Sequence, residues 1–251
     1  MMDTLHLMAF KAPDRPDLCA EFLHQHELVL AELGIPLVVK ADGSWIHDPF
    51  CYVIVATHPT EGMVGGIRLQ LDHNPERSLP LAASLRSLAP DIHAVLDQLR
   101  PFGNGEVCGL WSASRYANRG VTVLLSLAVT TIAPMVGANR LVCFVGHHTK
   151  RHPERNGFVP MAGIGDRGVF DYPTSEFRSV VMVNPDTILL PYADPNHRKA
   201  IYSLRLRPDQ TREEQPARLR LEVRYDLIVA AGVIDLVAYR MISEERFRHT
   251  G

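Results

Sequence analysis

The stretch from residue 106 to residue 147 constrains the fold most. EVCGLWSAS (106–114) reads as a strand, RYANRG as a polar loop, 121–137 as an apolar helix, and NRLVCFVGH (139–147) as a second buried strand. Strand, loop, helix, strand is a βαβ unit, and a crossover of that length implies parallel neighbours. The helix is rich in Val, Leu and Ala but falls short of the roughly 20 apolar residues a bilayer span needs. It is therefore expected as a buried core helix, with Pro134 kinking or ending it about one turn early.

The flanking segments supply the rest of a sheet. TLHLMAF (4–10) alternates as a first strand. PDRPD then starts a helix whose apolar residues Leu18, Phe22, Leu28, Val29 and Leu33 recur at helical spacing, with Asp17 as a candidate cap. Gly34 and Pro36 end it. Two extended pieces, PLVVK (36–40) and CYVIVATH (51–58), precede the turn HPTEG, and MVGGIRLQL follows, so 51–71 reads as a hairpin. Residues 80–100 are helical with a break at Pro90, expected in the first turn of a second helix. Residues 170–190 give one or two further strands. After Pro191 the segments become charged, and 219–247 reads as one or two amphipathic helices, although RLRLEVRYD also suits a solvated face or an edge strand.

Composition excludes several function classes. The 251 residues are 46% hydrophobic and 22% charged, which rules out a disordered or collagen-like chain. Lys and Arg total 26 against 28 Asp and Glu, so there is no electrostatic footprint for nucleic acid or an anionic membrane. No signal peptide or membrane span is expected. Cys19, Cys51, Cys108 and Cys143 form no CxxC pair, which argues against a zinc or redox motif and suits a reducing, cytoplasmic compartment. His148 and His152 stand four apart, but Pro153 interrupts the helix that geometry needs and no carboxylate accompanies them, so no metal is expected.

The junction EVCGLWSASRYANRGVTVLL (106–125) carries the candidate site. A helix amino terminus presents unpaired N–H groups and the positive end of its dipole, which suits a phosphate or pyrophosphate. Arg115 and Arg119 are placed to add charge-assisted bonds, and Gly120 lets the backbone approach closely.

LWSASRYANRGVTVLL resembles the pyrophosphate loop of the GNAT acyltransferase superfamily. It keeps Leu110, Tyr116, Arg119, Gly120, Leu124 and Leu125 in matching places. It departs at Ser114, where proline is usual, at Asn118, which stands at the first glycine and can take a left-handed conformation, and at Thr122. The order of elements matches too, down to Asn156-Gly157-Phe158, which resembles the end of the family's fifth helix. Within that fold, Gly65-Gly66-Ile67-Arg68-Leu69 and the strand beginning at Glu106 resemble motifs of acyl-homoserine-lactone and N-acyl amino acid synthases. Cys108-Gly109 replaces their Ser-Arg pair, which argues against a homoserine-lactone substrate bound in the usual way.

The resemblance implies a mixed, partly splayed central sheet flanked by helices over residues 1–190, and a helical C-terminal extension, 191–251, packed on it. It implies an N-acyltransferase moving an acyl group from acyl-CoA or an acyl carrier protein to a small-molecule amine. The alternatives are a synthase of the kinds just named and a non-catalytic acyl-CoA-binding module. Glu106 would be the base. Leu110, Trp111 and Ser112 would offer backbone donors to the thioester, and Arg115, Asn118, Arg119, Gly120, Val121 and Thr122 would hold the pyrophosphate or pantetheine. The family's general-acid tyrosine is absent from KRHPERNGF (150–158), where His148 and His152 are the nearest substitutes. Trp45 and Trp111 are candidates to line an acyl pocket, and YPTSEF (172–177) reads as a turn or a substrate-pocket lining. The extension is a candidate homodimer surface or substrate lid.

Overall fold

The computed structural model describes residues 3–35, 43–73 and 78–229, with Val237, Arg240, Met241 and Glu244. PLVVK and most of the carboxy-terminal helix expected from the sequence lie outside the described residues.

Among the described residues ten strands form one mixed sheet: β1 (Asp3–Lys11), β2 (Cys51–His58), β3 (Gly62–Leu71), β4 (Asn104–Ser112), β5 (Arg140–Gly146), β6 (Val159–Pro160), β7 (Val169–Asp171), β8 (Arg178–Asn184), β9 (Asp209–Glu214) and β10 (Leu221–Asp226). Their order is β6-β8-β5-β4-β3-β2-β1-β10-β9, with β7 also on β8. β1 through β4 are antiparallel neighbours, while β4–β5 and β1–β10 are parallel. The helices are α1 (Pro16–Glu32), α2 (Pro80–Leu85), α3 (Ile92–Leu99), α4 (Val121–Ile132), α5 (Arg151–Arg155) and α6 (Pro195–Leu206).

Alternation along the strands decides which helix covers which face. Leu5, Leu7, Ile54, Ile67 and Leu69 meet Leu124 and Leu125 of α4 in the main core, which Ile201, Tyr202 and Leu204 of α6 complete. Opposite-facing residues pack on α1 (Phe22 with Val53, Val55 and Trp111) or on α2 and α3 (Leu81, Leu85 and Ile92 with Val142 and Val181). Each buried Leu, Ile or Val contributes about 1.5–3 kcal/mol, so these stripes fix the register. α4 lies between the sheet and α6, which explains a helix apolar on nearly every side.

The C-terminal region differs from the helical expectation. Residues 221–226 form β10, with Leu221, Val223 and Tyr225 buried and Arg224 exposed, and β9 pairs beside it. The charged residues occupy every second position, so composition suggests a helix while the period of two fits a strand beside β1. α4 ends at Ile132 and continues as a 3-10 turn to Val136, because Pro134 has no N–H to extend the helix. Asp17 is not the cap of α1. Arg15 takes that position, and Asp17 lies one residue past Pro16, paired with Arg15 at 2.8 Å.

Arg205 joins α6 to the end of α4. It is 1% exposed and donates to the carbonyls of Thr130, Thr131, Thr187 and Ile188 at 2.7–3.3 Å. A guanidinium over the carboxyl end of a helix opposes the negative end of its dipole. Arg205→Leu leaves buried carbonyls without donors and is expected to lower stability by about 3 kcal/mol. The check is the urea midpoint of wild type and variant at an unchanged slope; equal midpoints contradict this role.

Candidate functional site: an opening between two parallel strands

β4 and β5 begin as partners and then part. Their pairing covers Asn104–Val107 against Arg140–Cys143, yet β4 runs on to Ser112 and β5 to Gly146. β5 keeps its other partner, β8, to Gly146. β4 is deflected by a bulge. Arg68 opposes Cys108 and Gly66 opposes Trp111, so Gly109 and Leu110 stand opposite Ile67 alone. Gly109 sits at φ 61°, the left-handed conformation that such bulges draw on. The outcome is a V-shaped opening with its vertex at Val107 and Cys143.

The loop after β4 borders this opening. Residues 114–116 form a 3-10 turn, Asn118 has φ 61° and Gly120 has φ 83°, and α4 begins at Val121. The N–H groups of Asn118, Gly120, Val121 and Thr122 donate to no described residue. A groove of about 660 Å³ lies against them. Ser112, Tyr116, Asn118, Gly120, Val121 and Thr122 form one side, and His152 of α5 and residues 216–218 of the β9–β10 turn complete it. Burial holds the His152 imidazole below its ordinary pKa, with help from Arg155 and His197, so it is neutral at pH 7.

Glu106 lies one residue before the vertex, within the paired stretch and opposite Val142. Its carboxyl is 2% exposed and accepts the Leu81 N–H at 2.8 Å. Burial pushes its pKa up to about 8 against the lowering effects of that bond and of Arg68, while Asp72 adds to the rise. Beside it on the same face stand Arg68 and Cys108. Arg68 stacks over Trp45 at 5.0 Å and forms no ion pair among the described residues. Burial and Arg68 bring the His26 pKa down to about 4. The Cys108 thiol is raised by burial, so it stays protonated.

The residues expected at the site are placed as follows. Ser112, Asn118, Gly120, Val121 and Thr122 line the groove, whereas Glu106 is buried one residue before the vertex and is not part of the groove lining. Leu110 is half-buried at the bulge, against the α4 core. Trp111 is 3% exposed and packs edge-to-face on Phe22, as does Trp45, at ring distances of 5.8 and 5.7 Å. Arg115 pairs with Glu61 at 2.7 Å, and Arg119 pairs with Asp3 and stacks on Tyr116. Residues 172–177 form the turn between β7 and β8. Among the described residues no three His, Cys, Asp or Glu side chains converge to hold a metal. Sequence reasoning missed the 216–218 wall. The only signal for the wall was the alternation of 219–226, which places a hairpin where helix was expected.

No family model matches the sequence, and no curated protein matches it. Solved structures do match. BjaI, a CoA-dependent acyl-homoserine lactone synthase solved with SAM and isopentyl-CoA, is 13% identical, with 96% of this chain and 99% of BjaI covered at a TM-score of 0.51. The fold is that of the GNAT acyltransferases. FeeM, an N-acyl amino acid synthase from uncultured soil microbes, is 14% identical, with 70% of this chain and 93% of FeeM covered at a TM-score of 0.50. The GNAT likeness lies in the fold, at identities too low to carry residue roles across.

The raised Glu106 carboxyl has a consequence for stability. Between its ordinary 4.5 and about 8 the folded protein holds a proton that the unfolded chain has released. Its contribution is complete below pH 4.5 and is lost as pH rises toward 8, by about 1.4 kcal/mol per unit within the window. Glu106→Gln keeps an acceptor for Leu81 and cannot ionise. Melting curves from pH 5 to 9 are expected to coincide at pH 5 and to separate with the variant more stable at pH 8–9. Curves that stay parallel contradict the shift.

Proposed function

We propose that this protein is an N-acyltransferase that moves an acyl group from a coenzyme A thioester, or from an acyl carrier protein, to a small-molecule amine. The observation that supports it most is the opening between β4 and β5, bordered by a loop with free backbone donors, with a buried carboxyl one residue before the vertex. A thioester laid into that opening meets backbone N–H groups of β4 from Leu110 to Ser112, which take the charge of the tetrahedral oxyanion. The donor's phosphates meet the N–H groups of Asn118, Gly120, Val121 and Thr122. Residues 191–251 act as an extension of the 1–190 acyltransferase unit, and four cysteines outside any disulfide fit a reducing, cytoplasmic setting.

Glu106 is the proposed base. A carboxyl at about 8 is close to the pKa of an alkylammonium in a partly desolvated site, so proton transfer between them is nearly balanced. The deprotonated amine attacks the thioester carbon, the C–N bond forms, and the tetrahedral intermediate expels the thiolate. The attacking nitrogen gives up one proton as the amide forms, and the thiolate leaves with it as the free thiol.

A second reading, a synthase that acylates an amino acid or a related carboxylate-bearing amine, is favoured by Arg68. A guanidinium beside Glu106 with no ion pair among the described residues suits an acceptor carboxylate.

Turnover of acetyl-CoA and long-chain acyl-CoA against a panel of amines tests the function. Activity is expected to rise with pH toward about 8 and then level. Glu106→Gln is expected to lower kcat/KM by about 10²–10⁴ and to remove that rise. Turnover unchanged in Glu106→Gln removes Glu106 from the mechanism. Coenzyme A binding without turnover on any amine supports the non-catalytic module instead.

A further inference from the structure

We propose that the turn joining β9 to β10 is a wall of the donor site, that Arg218 on it is the side-chain ligand of the donor's phosphates, and that this wall commits the protein to a free coenzyme A thioester over a carrier-protein-bound one. The proposal deepens the acyltransferase reading and rests on it.

Charge is the first reason. The two arginines of the loop are already neutralised, Arg115 by Glu61 and Arg119 by Asp3. Arg218 lines the same groove, is exposed, and has no ion pair or hydrogen bond among the described residues. It is thus the uncompensated cation facing the free N–H groups of Asn118, Gly120, Val121 and Thr122. An anion there gains a charge-assisted bond without displacing a carboxylate.

The seating of the turn is the second reason. Pro216 packs directly on Gly120: a Cβ on Gly120 would fall 2.5 Å from the Pro216 Cγ. The turn is held by β10, which pairs with β9 and, over six residues, with β1 inside the sheet. It is therefore a fixed part of the groove, built from a segment some 100 residues beyond the loop it covers.

Shape is the third reason. At about 660 Å³ the groove falls within the 300–1,000 Å³ typical of small-molecule sites. A carrier protein attaches its pantetheine through a phosphodiester, so its folded body begins immediately beyond the phosphate. Pro216 and Arg218 wall the groove opposite the loop amides, so with the phosphate on that loop the folded body of a carrier protein would have to clear them, whereas free coenzyme A continues only as a nucleotide.

The test is calorimetric titration of the full chain with coenzyme A, with pantetheine, which lacks the phosphates, and with a holo acyl carrier protein. Wild type is expected to bind coenzyme A more tightly than either other probe. Arg218→Ala is expected to weaken coenzyme A by about tenfold or more, to leave pantetheine unchanged and to keep the unliganded melting temperature. Arg218→Lys is expected to recover part of the loss. Arg218→Ala with wild-type affinity for coenzyme A overturns the role of Arg218 while leaving the acyltransferase reading intact. Carrier protein bound as tightly as coenzyme A overturns the donor assignment. Wild type that binds none of the three overturns the acyltransferase reading and this proposal with it.

Discussion

Everything at the site depends on β4 leaving β5. Two parallel strands that start in register normally stay hydrogen-bonded, because each unpaired buried amide costs free energy. Here the bulge at Gly109 and Leu110 turns β4 along its antiparallel partner β3, while β5 remains bound to β8. The unpaired edges are then left without a strand partner, and Glu106 is buried one residue before the vertex, against the amino end of α2.

The surrounding packing keeps that opening from collapsing. α4 is held between the sheet and α6, and Arg205 fastens its carboxyl end to the loop at 187–188. The amino end of α4, with its free N–H groups, is thereby fixed beside the opening. Tyr116 anchors the loop from below: it is buried, donates to Glu61 at 3.2 Å and lies under Arg119. The loop arginines thus support the loop's shape, and the groove takes its one free cation among the described lining residues from the far hairpin.

Much of the frame was legible in the sequence. The βαβ unit, the hairpin over 51–71 and the first strand each follow from apolar period, and they appear as β4–α4–β5, β2–β3 and β1. The left-handed Asn118 was legible as well, since asparagine is one of the few residues that adopts that conformation readily. What was not legible depends on distant partners. Glu106 looks the same in sequence whether solvated or buried, and only α2 folding over it makes it a carboxyl at about 8. Arg115 and Arg119 look free until Glu61 and Asp3, more than 50 residues away, arrive beside them. β10 was hidden by its charged residues, since a strand with one buried face shows its character in alternation and not in composition.

The central claim is that the free edge of β4 and the loop before α4 together hold an acyl thioester. Amide hydrogen exchange with and without saturating acetyl-CoA measures this directly. Slowed exchange is predicted at the amides of β4 between Leu110 and Ser112 that face the opening and at Asn118, Gly120, Val121 and Thr122, because amides without a protein partner gain one from the ligand. Slowing confined to other segments, or none at saturation, would contradict it.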